Sequence, residues 1–391
     1  MNRNFYLEEL ENFPKRITDA VESPCFIVSE TMIRKNLEIL SRVKSETGAK
    51  ILLALKAFAM YKAFPLMRTK LDGTCASGPM EARLGCEEFG KEVVTFSPAY
   101  SEKDIKEVIK YSSIVIFNSI RQWKKYRGVI AGSSKKIEIG LRINPGYSEV
   151  EKELYNPAAA GSRLGIRPEE LEGEDLTGID GLHFHALCEQ NADVLVRVLR
   201  RFEQKCSKHL DGMKWVNFGG GHHITRKDYD VDLLIETINK FKKKHGVQVY
   251  LEPGEAVVLN AGVLVATVLD IVHNDIDTAI LDVSAEAHMP DVLEAPYRPN
   301  IIGAGKPGEQ KCSYRLGGPT CLAGDVIGDY SFAKPLKEGD RIVFLDMAHY
   351  TMVKTTTFNG VRHPSIALYD GSRGKLSVVK RFGYEAYKYK L

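Results

Sequence analysis

Short runs of aliphatic and β-branched residues recur through the first two thirds of the chain, at Ile51–Phe58, Asp72–Ser77, Val93–Ser97, Ile114–Ser119, Ile137–Pro145, Ile179–Ala186, Trp215–Gly221 and Val247–Gly254. Between them lie segments such as Ser101–Lys110, Ala192–His209 and Asp232–His245, with apolar residues at helical spacing and charges on the other face. Strands alternating with helices imply parallel pairing through crossovers. Eight such units over roughly 220 residues match a closed (β/α)8 barrel, whereas an open doubly wound sheet usually has fewer strands.

After Gly254 the pattern changes. Val257–Leu259, Val263–Val272, Thr278–Val283, Arg341–Leu345 and Lys375–Val379 are strand-like and broken by Gly, Pro and Asn, with a short helix expected only near Asp325–Tyr330. This third reads as a mostly β domain of Greek-key or sandwich type. Ahead of the barrel stand one strand-like run, Pro24–Val28, and one helix-like run, Thr31–Val43. Placing that strand in the β domain gives a barrel over 30–255 and a β domain built from 1–29 and 256–391.

Composition removes several alternatives. In 391 residues, 54 Lys and Arg face 51 Asp and Glu, a net charge of +3; a dedicated nucleic-acid binder carries a clearer basic surplus. The seven cysteines (Cys25, Cys75, Cys86, Cys188, Cys206, Cys312, Cys321) are odd in number and form no CxxC, so a reducing cytoplasm is expected. Met1–Glu9 is polar and unlike a secretory leader. The most apolar long window, Ala256–Val272, carries Asn260, Thr267 and Asp270 and is too short for a clean membrane span.

The unusual residues fall at the expected C-terminal ends of the barrel strands, where barrel chemistry sits. Lys56 ends the first strand as an amine able to form a Schiff base. His183 and His185 alternate on the sixth strand, but no carboxylate or third His stands at ligand spacing, and the adjacent His222 and His223 point apart, so no metal is expected. Gly219-Gly220-Gly221 ends the seventh strand, where side-chain-free backbone can converge on an anion. Glu252-Pro253-Gly254 ends the eighth and puts a carboxylate at the mouth. Lysine, anion nest and acid are the parts that pyridoxal phosphate needs: an imine, an anchor, and a carboxylate that keeps the ring nitrogen protonated. In the β domain, Gly317–Asp325 joins Cys321 and Asp325 in a glycine-rich loop, a thiol able to move a proton, and Ala348-His349-Tyr350-Thr351 and Phe358-Asn359-Gly360 follow the run Arg341–Leu345.

These residues, in this order, resemble the alanine-racemase-like (fold III) pyridoxal-phosphate decarboxylases over about Pro24 to Gly360. The resemblance implies that Lys56 carries the cofactor, His185 stacks on its ring, and Gly219, Gly220 and Gly221 cradle its phosphate. It further implies that Glu252, with Gly254 in the same motif, pairs with the ring nitrogen, that Tyr350 contacts phosphate, and that Cys321 protonates the substrate carbon across the interface of a homodimer with shared active sites. Glu252-Pro253-Gly254-Glu255, His183–Gln190 and Gly317–Tyr330 look most like the branch that decarboxylates carboxylated polyamines such as carboxynorspermidine and carboxyspermidine. Glu255 stands where ornithine and diaminopimelate enzymes have Arg, and Glu294, in Asp291–Tyr297, lies near a diaminopimelate-gripping arginine. Acids in place of cations imply an amine at the far end of the substrate, with Glu255, Glu294 and Asp325 of the partner chain orienting it. Leu187 and Cys188 replace a Gly and a phosphate-touching Ser, and Arg142 and Arg163 are the candidates to compensate. The rival readings are a diaminopimelate decarboxylase and a non-catalytic homologue that regulates one.

Overall fold

The structure, a computed structural model, describes residues 13–391; the expectation about Met1–Glu9 lies outside them. Contacts divide the chain into Lys35–Val257 and a second unit made of the segment up to Arg34 with Val258–Leu391. Among the described residues no helix is long and apolar enough to cross a membrane.

Strand β1 (Cys25–Ser29) belongs to the second unit. The next eight, β2 (Lys50–Ala54), β3 (Gly73–Ala76), β4 (Glu92–Phe96), β5 (Ile114–Phe117), β6 (Glu138–Arg142), β7 (Gly181–His183), β8 (Trp215–Asn217) and β9 (Gln248–Leu251), close into a parallel barrel. The helices between them have the ends their sequences specify. Ser101 and Asp104 form a reciprocal capping box at the start of Glu102–Tyr111. Asp230 accepts the Leu233 N–H at 2.9 Å to start Val231–His245, whose last turn is basic and which stops at Gly246 with φ +67°.

The barrel interior is layered. Leu52, Val94, Ile114, Ile116, Trp215 and Tyr250 form one apolar cluster. At the strand beginnings, Lys50 Nζ lies 2.8 Å from Glu92 and 2.9 Å from the Tyr250 hydroxyl, which donates to Glu92 at 3.0 Å. The Trp215 indole N–H donates to Glu138 at 2.9 Å. Gly140, Gly181 and Trp215 stand side by side in register, and a Cβ on Gly140 or Gly181 would meet the indole at 2.4 or 2.2 Å. The two glycines make room for the one large ring that closes this end.

In the second unit β1 joins β10 (Gly262–Asn274), β11 (Ile276–Leu281), β12 (Cys312–Gly317), β13 (Val326–Phe332), β14 (Arg341–Leu345), β15 (Ser365–Asp370) and β16 (Lys375–Lys380) in one eight-stranded, mostly antiparallel sheet. Every residue of β1 is buried because it feeds two cores. Phe26 joins Leu264, Ala266 and Val268 on one face, and Cys25 and Ile27 join Val263 and Val265 on the other. A buried aliphatic side chain contributes about 1.5–3 kcal/mol, so this strand ties both faces together.

Three expectations are corrected. The barrel strands end earlier than their apolar runs, so Lys56, His185 and Glu252 lie just beyond strands. Val257–Leu259 begins as a helical turn, Glu255–Val258, with Val257 N–H donating to Gly254. From Val326 the run Asp325–Tyr330 is part of β13 rather than a helix, because pairing with β12 overrides the apolar spacing. Strands β12 and β15 had no clear sequence signal.

Gly181→Ala should destabilise the protein by about 1–3 kcal/mol through overpacking against Trp215, measured by urea unfolding; an unchanged midpoint would contradict the assigned packing.

Candidate active site

Two residues beyond the Gly140–Gly181–Trp215 layer, on the same three strands, stand Arg142, His183 and Asn217, again in register. The two-residue period turns them to the same interior face, and all three are buried. The barrel therefore changes from apolar to polar just where its strands end.

Glu252, the first residue after β9, completes this layer. The residue is only 8% exposed, and its carboxylate accepts the Asn217 amide at 2.7 Å and lies 3.4 Å from His183 Nε2. Burial alone would raise its pKa; His183, the Asn217 hydrogen bond and the charge of Lys56 outweigh that and hold it below the usual value. Burial keeps the His183 imidazole below its own ordinary value, against the pull of Glu252. Neither His183 ring nitrogen has a hydrogen-bond partner of good geometry among the described residues. Arg142 lies 4.5 Å over the Phe96 ring, its pKa drawn by burial to about 10.

The glycine run differs in part from the anion nest expected of it. The Gly219 N–H donates to Asn217 Oδ1 at 2.8 Å and the Gly220 N–H to His185 Nδ1 at 2.9 Å, so two of the three amides are turned to neighbouring side chains. The glycines are needed for close approach. A Cβ at Gly219, Gly220 or Gly221 would lie 2.4 Å from Phe184 O, 2.4 Å from Glu252 O or 1.9 Å from Leu187 O, and Gly219 and Gly221 have φ +69° and +82°.

His185 lies past the end of β7, half-buried, with its carbonyl accepting from Arg142 at 3.4 Å. Burial, then the charges of Lys56 and Arg142, push its pKa well down. Because Nδ1 accepts from Gly220, the neutral ring carries its proton on Nε2. Lys56 is exposed on a turn whose Ala57 and Phe58 N–H groups donate to Ala54 O. Gly254 serves that turn: a Cβ there would meet Ala57 Cβ at 2.6 Å and Ala54 Cβ at 3.0 Å.

The remaining candidates lie in the second unit. Cys321 is exposed, its N–H donating to Asn359 Oδ1 at 2.8 Å, which gives the Phe358-Asn359-Gly360 motif a place. Tyr350 is half-buried at φ +50°. Glu294 is exposed and shares the Lys354 ammonium with Asp291. Asp325 departs from the expected tail-holding role. Its Oδ1 accepts from Ser284 Oγ and the N–H groups of Ala285 and Glu286, and its Oδ2 from the Thr320 N–H and hydroxyl. A buried carboxylate so engaged folds the Cys321 loop instead of facing a substrate.

Sequence reasoning passed over Asn217 and gave Arg142 only a loose role; the signal for both was a polar residue closing an apolar strand, two positions after a packing residue. It also set His223 aside because neighbouring residues point apart. The fold brings Glu189 and Glu255 to it, with one ligand-type atom from each of the three residues all within 4.8 Å of one another.

The family model described as pyridoxal-dependent decarboxylase, C-terminal sheet domain, matches residues 25–348. The chain belongs to this decarboxylase family. Within it, the chain is 47% identical over 94% of its length, and 98% of the relative's, to carboxynorspermidine/carboxyspermidine decarboxylase of Campylobacter jejuni. It is 43% identical over 99% of both chains to carboxyaminopropylagmatine decarboxylase of Synechocystis. Among solved structures it is similar to carboxynorspermidine decarboxylase of Campylobacter jejuni complexed with norspermidine, at TM-score 0.88 and 45% identity, covering 95% of this chain and 100% of that one. The barrel with its mostly antiparallel sheet domain is the fold of these pyridoxal-dependent decarboxylases.

The histidines beside this site give the decarboxylase a defined response to acid. Burial holds His222 at about 4, and His183 and His185 also lie below their ordinary values. Between about 4 and 6.5 the unfolded chain binds more protons at His222 than the folded one, so stability is full above this window and falls as pH drops through it. His222→Phe should remove roughly 2 kcal/mol of the stability lost between pH 7 and pH 5, read from urea unfolding at both values. Parallel losses in variant and wild type would contradict it.

Proposed function

We propose that the chain removes the α-carboxylate of a carboxylated polyamine, carboxynorspermidine or carboxyspermidine, with pyridoxal phosphate as cofactor. The observation that carries the substrate class is the near full-length likeness to the Campylobacter jejuni enzyme. The residues fit the cofactor: a buried Glu252 carboxylate with the His183 ring beside it and a glycine run that no Cβ can join meet at the barrel mouth.

Pyridoxal phosphate, when bound, supplies the sink for the electron pair left as CO2 departs. Lys56 is the amine to hold it. Glu252, kept anionic by Asn217, His183 and Lys56, accepts a hydrogen bond and so holds a proton on the ring nitrogen. His185, neutral and fixed by Gly220 and Arg142, offers the face of its ring. Gly219–Gly221, with Tyr350, are assigned to the phosphate. The Cys321 thiol delivers the proton to the α-carbon, contributed by a second copy of the chain in a homodimer; its exposure supports this. Glu255 and Glu294 are assigned to the amine tail, and Asp325 is left out because its oxygens are engaged. A cytoplasmic location is supported by seven free cysteines.

A second reading, favoured by the Synechocystis relative that matches end to end, is a carboxylated aminopropyl-agmatine as substrate, whose tail ends in a guanidinium. Diaminopimelate is disfavoured, because its distal carboxylate would meet acids at Glu255 and Glu294.

A CO2-release assay over these substrates decides. At least about a hundredfold higher kcat/KM, near 2.7 kcal/mol, is expected for a carboxylated polyamine over diaminopimelate. A higher value for carboxyaminopropylagmatine would favour the second reading, and equal or better use of diaminopimelate would overturn both. Lys56→Ala should abolish turnover and the cofactor's imine absorbance; normal turnover would remove Lys56 from the chemistry.

A further inference from the structure

We propose that Glu189, His223 and Glu255 form a binding site for one divalent transition-metal ion beside the glycine run. Three chain segments converge to make it. Gln190 N–H donates to Gly221 O at 3.1 Å and His223 N–H to Gln190 O at 3.2 Å. Arg226 donates to Glu189 O at 3.1 Å, and the Thr225 hydroxyl to Ala256 O at 2.6 Å. These bonds fix the backbones of Glu189, His223 and Glu255 around one point, where a ring nitrogen and two carboxylate oxygens lie within 4.8 Å of one another.

The second, independent observation is His223 itself. The side chain is about nine-tenths buried, at 6% exposure, and neither ring nitrogen has a hydrogen-bond partner among the described residues. Nε2 nevertheless stands 3.2 Å from Glu255 Oε2. That separation without hydrogen-bond alignment suits two donors converging on a third body. Ligands each about 2.1 Å from one ion lie roughly 3.0–3.4 Å apart. Without an ion, this buried imidazole has only the poorly aligned Glu255 carboxylate at Nε2 and no hydrogen-bond partner at Nδ1 among the described residues, at a cost.

One nitrogen and two oxygen donors select the class. Imidazole suits zinc, copper, iron or nickel and carboxylates suit manganese, whereas calcium and magnesium prefer all-oxygen shells. A dication with two carboxylates and a neutral histidine has no net charge. The ion thus cancels two negative charges next to a glycine run assigned to an anion, and leaves coordination positions for water or that anion. A filled site takes Glu255 out of the amine-tail role assigned to it above and leaves that role to Glu294.

The test is metal binding to the purified, cofactor-loaded protein after chelator treatment, titrated with Mn2+ by electron paramagnetic resonance and with Zn2+ by calorimetry. One ion per chain is expected, with Kd raised at least tenfold in His223→Gln and in Glu255→Gln, and a metal-dependent rise in Tm that both variants lose. Glu189→Gln, which keeps the buried histidine, is the third arm should His223→Gln fail to fold, with the same tenfold loss expected. Absence of saturable binding, or binding unchanged in these variants, would overturn the proposal.

Discussion

A single buried negative charge organises the mouth of the barrel. The Glu252 carboxylate, left unpaired, would be costly by several kcal/mol, and its surroundings are arranged to avoid that. Asn217 donates to one oxygen and His183 stands beside the other. Asn217 then uses its own oxygen to hold the Gly219 N–H, and Gly219 O accepts the Glu252 N–H at 2.8 Å. The loops after β8 and β9 are thereby locked to each other by the same side chains that keep the acid ionised. The next amide in the run, Gly220, fixes the His185 ring.

The layer beneath explains why this arrangement can be rigid. Gly140 and Gly181 give up side chains so that Trp215 can fill the interior, and Arg142, His183 and Asn217 are placed by the same register two residues on. Gly254 gives up its side chain so that the Lys56 turn can pack against the end of β9. Stability and function are therefore linked position by position: the residues that close the apolar core set where the polar ones arrive.

Much of this was legible in the sequence. The alternation of apolar runs and helical segments gave the barrel, and Lys56, His185, Gly219–Gly221 and Glu252 stood out because each interrupts or ends an apolar strand. What was not legible depends on long-range geometry. Strand ends were set too late, since an apolar run continues past the last ladder bond when the following turn is buried, as at Leu55 and Ala57. A carboxylate beside a thiol in a glycine-rich loop suggests chemistry at Asp325, and only the fold reveals five donors converging on it. The grouping of Glu189, His223 and Glu255 has no local signature, because backbone bonds between distant segments bring them together. In β13 a helix-like spacing of Val326, Ile327 and Tyr330 lost to pairing with β12.

The central claim is that Glu252 is an anion at neutral pH despite its burial. Infrared difference spectra between wild type and Glu252→Gln test it most directly. The account predicts that the wild type carries the carboxylate stretching bands at neutral pH and that the variant lacks them. A carboxylic-acid carbonyl band, lost in the variant, would mean that burial wins over Asn217, His183 and Lys56, and would contradict the account.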